Sequence, residues 1–258
     1  MTLDINQAST GMSNGESRHR WNWREILAII FLTIIIVLLG SFVLYKLYEL
    51  VAGSANSDYY FLINSALPAA LEAAAILISV YLIGIRRNGL TWQAVGLTPV
   101  SRNWQIIAVL LGLLILPSVG LIAMMIQLVL GLPLGNPQLE FLLTDNISIP
   151  GVLIMLVFGG VIVPIAEEIF FRGLLYSWLR QNLKIWPAIL ISSALFGVLH
   201  GEISIAGATF LMGIILAWIY EKSTSLWPAI SIHIINNSIK LLVLYLMIAF
   251  GGDIPTLP

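Results

Sequence analysis

The chain has 258 residues, of which 59% are hydrophobic and only 10% charged, with a net charge of −1. A soluble domain carries roughly 25% charged residues, so a soluble globule, a nucleic-acid binder and a disordered chain are all excluded. Cys is absent, which removes disulfides, thiolate ligands, a thiol nucleophile and Cys lipidation. The remaining class is a polytopic membrane protein, with a mean hydropathy of +0.97, whose chemistry must come from carboxylate, imidazole, hydroxyl or amide groups.

Residues 1–20 are polar and rich in Ser, Asn and Gly, and read as a disordered cytoplasmic tail without a signal-peptide pattern. Residues 21–258 read as a single transmembrane helical domain. Trp21 and Trp23 stand where an interfacial aromatic belt begins. Seven hydrophobic spans follow, near Ile26–Tyr45, Tyr59–Gly84, Trp104–Leu130, Pro150–Trp178, Trp186–His200, Ile203–Tyr220 and Leu226–Phe250. Most approach the ~20 residues that cross a bilayer as a helix, and the fifth is short. The runs are continuous rather than alternating, which predicts helices and not a barrel. The expected fold is an all-α membrane protein, a bundle of about seven transmembrane helices. The junction at His200–Ile203 reads as either a tight turn or a re-entrant bend.

Basic residues alternate between connections. Arg18, Arg20 and Arg24 precede the first span, Arg86, Arg87 and Arg102 follow the second, Arg180 and Lys184 follow the fourth, and Lys222 follows the sixth. The other connections carry Glu49, Asp58, Glu140, Asp145, Glu202 and Asp253. The excess of Lys and Arg places the N-terminus in the cytoplasm and the C-terminus outside.

An ionisable group at mid-bilayer costs roughly 2.5–3.5 kcal/mol on insertion scales. Such groups cluster at residues 150–250: Glu167, Glu168 and Arg172 in the fourth span, His200 at the end of the fifth, and His233, Asn236, Asn237 and Lys240 in the seventh. Glu168 and Arg172, four apart, share a helix face and predict an internal ion pair. Glu167 is turned about 100° away, so it stays unmatched, desolvated and suited to general-base work. Pro164 removes a backbone donor and frees the carbonyl of Gly160, which predicts a kink beside the carboxylates. Phe196 and His200 share a face, beside a stripe of Ser193, Gly197 and Gly201 that permits close helix approach. At 1.5 Å per residue, Glu167, His233 and His200 lie ~15, ~10 and ~20 Å from the cytoplasmic ends of their spans, compatible with one site.

Each feature alone also has a plain structural reading. An intramembrane Glu–Arg pair, a lone His or an Asn is often interhelical glue, and Phe170, Phe171 and Phe196 read as packing. Glu72 and Lys240 lack local partners and are expected to pair with each other; alternatively Lys240 faces the site and holds a substrate carboxylate. His19 is given no role.

In order, the set reads E-E-x-x-x-R (Glu167, Glu168, Arg172), F-x-x-x-H (Phe196, His200) and H-x-x-x-N (His233, Asn237). This resembles the CPBP family of intramembrane proteases, the CAAX-processing and bacteriocin-processing group, over residues 150–250; Trp92–Gly96–Leu97 also resembles a segment common there. The resemblance implies a membrane endopeptidase in which Glu167 and His200 activate a water, His233 and Asn237 stabilise the oxyanion, and Glu168 with Arg172 fixes Glu167. It implies no cofactor firmly. One Glu with two His matches a catalytic zinc ligand count. The preferred scheme is metal-free, because Glu167, His200 and His233 as ligands would leave only the Arg172-tied Glu168 as base. The implied partners are a peptide or membrane-protein substrate and the lipid bilayer, with no nucleic acid. The alternatives are a non-catalytic bacteriocin-immunity or scaffold protein of the same fold, and a small carrier using Glu167, Glu168 and Lys240 as a relay, which the lack of an internal repeat disfavours.

Overall fold

The computed structural model describes residues 19–51, 62–134 and 149–250. Residues 1–18 of the expected tail, and the connections holding Asp58, Glu140, Asp145 and Asp253, lie outside the described residues. Seven helices account for the seven spans: α1 (Trp23–Val51), α2 (62–86), α3 (Arg102–Leu130), α4 (Ile149–Asn182), α5 (Ile185–Val198), α6 (Ile203–Ser223) and α7 (Leu226–Ala249). Among the described residues no strand is present, and the protein is an all-α, multi-pass membrane bundle. Among the described residues, six helices are long and apolar enough to cross a membrane. The exception, α5, has 14 residues, about 21 Å against a hydrocarbon core of about 30 Å. Its end is a tight turn rather than a re-entrant segment: Gly201 takes φ +83° and donates to Val198 O at 3.1 Å, and α6 then folds back along α5.

The fourth helix is the hub. It packs against α2 on one flank and α7 on another, while its Ile169–Tyr176 stretch meets α5. The third helix closes over α6 and α7, and α1 packs mainly on α2. The large apolar side chains that α1 leaves exposed, among them Phe31, Leu38 and Phe42, are the lipid-facing surface that a bilayer solvent allows.

Two prolines shape the inner helices. Pro68 and Pro164 each directly follow a π-helical turn, Leu62–Ala66 and Phe158–Ile162. The wider π turn leaves room for the ring that would otherwise strike the preceding turn. The helix therefore continues through Pro164 to the carboxylates instead of breaking.

Small residues set the close approaches. A Cβ on Gly197 would lie 2.6 Å from Ala206 O, and one on Gly213 3.0 Å from Ser193 Cβ. Ser193 and Gly197 thus form the close α5–α6 contact that their spacing predicts. Gly201 does not belong to that contact; nothing lies within 4 Å of its Cβ position, because it is the turn residue. Trp21 is buried against Gly84 and Ile29, whereas Trp23 is exposed.

At the end of the bundle carrying the basic connections, the Trp92–Val95 turn docks beneath α4. Gly96, at φ +92°, accepts from Leu226 N at 2.8 Å, and Ser225 Oγ donates to Thr98 O at 2.7 Å. Glu221 accepts from Tyr176 Oη at 2.8 Å and Arg180 Nε at 3.1 Å, tying α4 to α6. His19 also docks there, its carbonyl accepting from Gln181 Nε2 at 3.3 Å and its ring edge-on to Trp21.

Candidate active site

The site grows from the end of the Val163–Glu168 segment and the π-helical stretch that follows. Four residues on, Arg172 Nη1 donates to Glu168 Oε1 at 2.8 Å, with both side chains almost wholly buried. Arg172 Nη2 donates to Gly213 O at 3.2 Å, and the guanidinium lies 4.4 Å from the centre of the Phe196 ring. The cation is therefore held by a carboxylate, a carbonyl and a ring face, the compensation that a buried charge needs.

Imidazole joins the two carboxylates. His233 Nδ1 lies 2.9 Å from Glu168 Oε1, and His233 Nε2 lies 3.5 Å from Glu167 Oε2. With Glu168 pinned by Arg172, the ring donates to it from Nδ1, which turns Nε2 toward Glu167. Glu167 and Nε2 then face each other as a proton-sharing couple. The turn of about 100° that separates Glu167 from the ion pair is what makes this possible.

The second imidazole is set by backbone. His200 Nδ1 lies 2.7 Å from Phe196 O; a carbonyl only accepts, so Nδ1 carries the proton and Nε2 is the basic nitrogen. Phe196 packs edge-on to His200 at 4.7 Å, His233 at 5.7 Å and Phe171 at 4.9 Å between centroids. Phe196 is thus the floor shared by both imidazoles and Arg172, more than the packing residue its type implies.

Asn237 and Ser238 close the outer side. Asn237 Nδ2 donates to Gly159 O at 3.4 Å, and Ser238 Oγ donates to Gly160 O at 3.1 Å. These two carbonyls lie five and four residues before Pro164, which has no N–H to give to either. Asn236 is fully buried, and neither its amide oxygen nor its nitrogen has a hydrogen-bond partner; the same holds for Glu168 Oε2 and Arg172 Nε.

The structure thus gathers Glu167, Glu168, Arg172, Phe196, His200 and His233 at one place, with Asn237 a turn beyond His233 on α7. It does not bring Glu72 and Lys240 into an ion pair. Instead, the charge of Glu72 on α2 acts on Glu167, and that of Lys240 acts on both imidazoles. The Leu67–Ser79 stretch of α2 packs directly on the Val163–Glu168 stretch of α4. The sequence signal for Glu72 was present, a lone carboxylate in mid-span; its neighbour was misassigned. Ser238 carried no signal.

Among the described residues, no three His, Asp or Glu side chains are grouped to hold an ion, and both nitrogens of His233 are already aimed at carboxylates. Two apolar grooves, of about 330 and 520 Å³, lie along α3 and between α3 and α6; neither is lined by a residue of the Glu–His cluster.

Comparison with known proteins falls on this same segment. Residues 149–239 match the family described as type II CAAX prenyl endopeptidase Rce1-like. The chain is also 30% identical, over 90 residues, to a protein of Bacillus subtilis (strain 168) named "Putative membrane peptidase YdiL". That alignment covers 35% of this chain and 37% of the relative's length. No solved structure matches. The stretch that matches this family runs from the start of α4 to the residue before Lys240 and holds every motif position.

Proposed function

We propose that the protein is an intramembrane endopeptidase that hydrolyses a peptide bond of a membrane-associated peptide or protein with a water activated by carboxylate and imidazole. The observation that supports this reading most is the position of His233, between a pinned Glu168 and an opposing Glu167 in the interior of the bundle. Glu167, aided by His200 Nε2, takes a proton from water as the hydroxyl oxygen bonds to the scissile carbonyl carbon. With the proton shared with Glu167 resting on Nε2, which leaves Glu167 ionised as the base, His233 and the Asn237 amide donate to the resulting oxyanion, Asn237 exchanging its long bond to Gly159 O for the substrate. One such donor is worth roughly 3–4 kcal/mol in characterised hydrolases. Collapse of the tetrahedral species breaks the C–N bond, and the proton held by Glu167 passes to the leaving nitrogen. Glu168 and Arg172 hold His233 in its tautomer and touch no reacting atom. No step is routed through a metal.

The test is cleavage of a membrane-spanning reporter peptide by the full-length protein in proteoliposomes. Glu167→Ala and His200→Ala abolish cleavage while leaving the protein folded and inserted. Full retention of biological activity by both variants would overturn the reading in favour of a scaffold or immunity protein.

A further inference from the structure

Glu72 has no role in the mechanism above, yet its placement is unusual. It lies 14 residues before the end of α2 at Arg86, about 21 Å along the helix, in the apolar part of the span. A carboxylate there is costly and needs a counter-group. Among the described residues Glu72 has no hydrogen bond and no ion pair, and its side chain is exposed where the neighbouring Ala73, Ala75 and Ile76 are buried. The Leu67–Ser79 stretch of α2, which carries Glu72, packs on the Val163–Glu168 stretch of α4, which carries Glu167, and the charge of Glu72 is felt at Glu167. The charges of the region leave room for a cation: Glu72, Glu167 and Glu168 face Arg172 and Lys240, Arg172 is consumed by Glu168 and Gly213, and Lys240 is not paired with Glu72.

From this placement we infer that Glu72 is a specificity-determining residue of the site, an open carboxylate that takes a cationic group of the peptide substrate next to the bond to be cut. The inference rests on the peptidase reading. The group is an ammonium or guanidinium, from a Lys or Arg side chain or from a free amino terminus. A cation seated there supplies the counter-charge that the bundle withholds from Glu72, and it offsets the repulsion between Glu72 and Glu167. A neutral peptide leaves both carboxylates uncompensated, so it binds less well.

The experiment uses full-length protein in proteoliposomes and reporter peptides identical except at one position. That position is scanned through the apolar segment as Lys, norleucine or Glu, with the amino terminus free or acetylated. Binding and cleavage are measured separately. In the wild type, at least one Lys position is preferred over norleucine by about tenfold in kcat/KM, carried by KM, which corresponds to about 1.4 kcal/mol. Glu72→Gln brings that ratio to about one, and Glu72→Lys reverses it in favour of the Glu peptide; the reversal is a gain that misfolding does not produce. If the preference instead follows the free amino terminus and vanishes on acetylation, the same carboxylate is supported with the terminus as its ligand. A ratio equal in wild type and Glu72→Gln, or no charge preference at any position, overturns the inference while leaving the peptidase intact. Charge-selective binding that Glu72→Gln removes, without cleavage of any peptide, supports the subsite and counts against the peptidase.

Discussion

The carbonyl of Gly160 accepts a hydrogen bond from the Ser238 hydroxyl at 3.1 Å, and Pro164, four residues on, has no N–H to offer it. The bond fastens α7 to α4 about two turns ahead of Glu167. Ser238→Ala should cost about 1–2 kcal/mol, the range expected when a buried carbonyl loses its acceptor role inside a membrane protein. Pro164→Ala restores an amide donor within α4. In that background the cost of Ser238→Ala should shrink toward zero, giving a positive coupling in a double-mutant cycle. Equal costs in both backgrounds, measured by reversible unfolding in detergent, would separate the proline from the serine.

The Arg172–Glu168 pair separates stability from chemistry. Arg172→Met leaves Glu168 buried and uncompensated, and should destabilise by about 3–5 kcal/mol. Adding Glu168→Gln removes the stranded charge, so the double variant should regain part of that loss. It should not regain cleavage, because His233 no longer has an anionic carboxylate at Nδ1 to hold its tautomer. Unfolding and peptide cleavage measured on the same preparations decide this. Parallel recovery of both would show that the pair matters for folding alone.

How much of this was legible beforehand follows from the range of each interaction. The Glu168–Arg172 bond is set by helix periodicity alone, so spacing predicted it. The same holds for the seven hydrophobic spans, and the short fifth span became the 14-residue α5. His233 meeting two carboxylates was only compatible with the depths, since those depend on how α4 and α7 shift past each other. The Glu72–Lys240 pairing failed because mid-span location says nothing about azimuth, and the Leu67–Ser79 stretch of α2 packs on α4.

The loop below α4 yields a graded glycine series. Gly89 has φ +64° with no atom within 4 Å of a Cβ. Gly96 has φ +92° and would place a Cβ 2.6 Å from Tyr220 Oη, and Gly173 would place one 2.6 Å from Val95 O. Gly89→Ala therefore carries backbone strain alone, about 1 kcal/mol. Gly96→Ala adds a clash to strain and should cost more. Gly173→Ala has no strain but meets a backbone atom that cannot step aside, so the loop must lift from α4 next to Arg172. The last variant should lose cleavage as well as stability, whereas Gly89→Ala should keep its cleavage rate. Thermal unfolding alongside cleavage ranks the three.

Glu202 provides a pH-dependent handle on the α5–α6 turn that carries His200. Its carboxylate caps α6, accepting from Ser204 N at 3.0 Å, from Ile205 N at 2.9 Å and from the Ser204 hydroxyl. Burial acts to raise its pKa, and the Ser204 hydroxyl and the two backbone N–H groups outweigh that, so the folded value lies below the ordinary one. A carboxyl depressed on folding stabilises the native state above its unfolded pKa of about 4.3. That contribution fades as pH falls through the lower folded value. Glu202→Ala should therefore cost about 0.5–2 kcal/mol near neutrality, the worth of a helix cap, and less in acid. Gln127, which donates to Ser204 Oγ at 3.1 Å, anchors the same cap to α3, so loosening it should also loosen the turn at His200. Stability of wild type and Glu202→Ala compared from pH 7 down to acid should converge. A gap that stays constant with pH would mean that the carboxylate charge does not hold the cap.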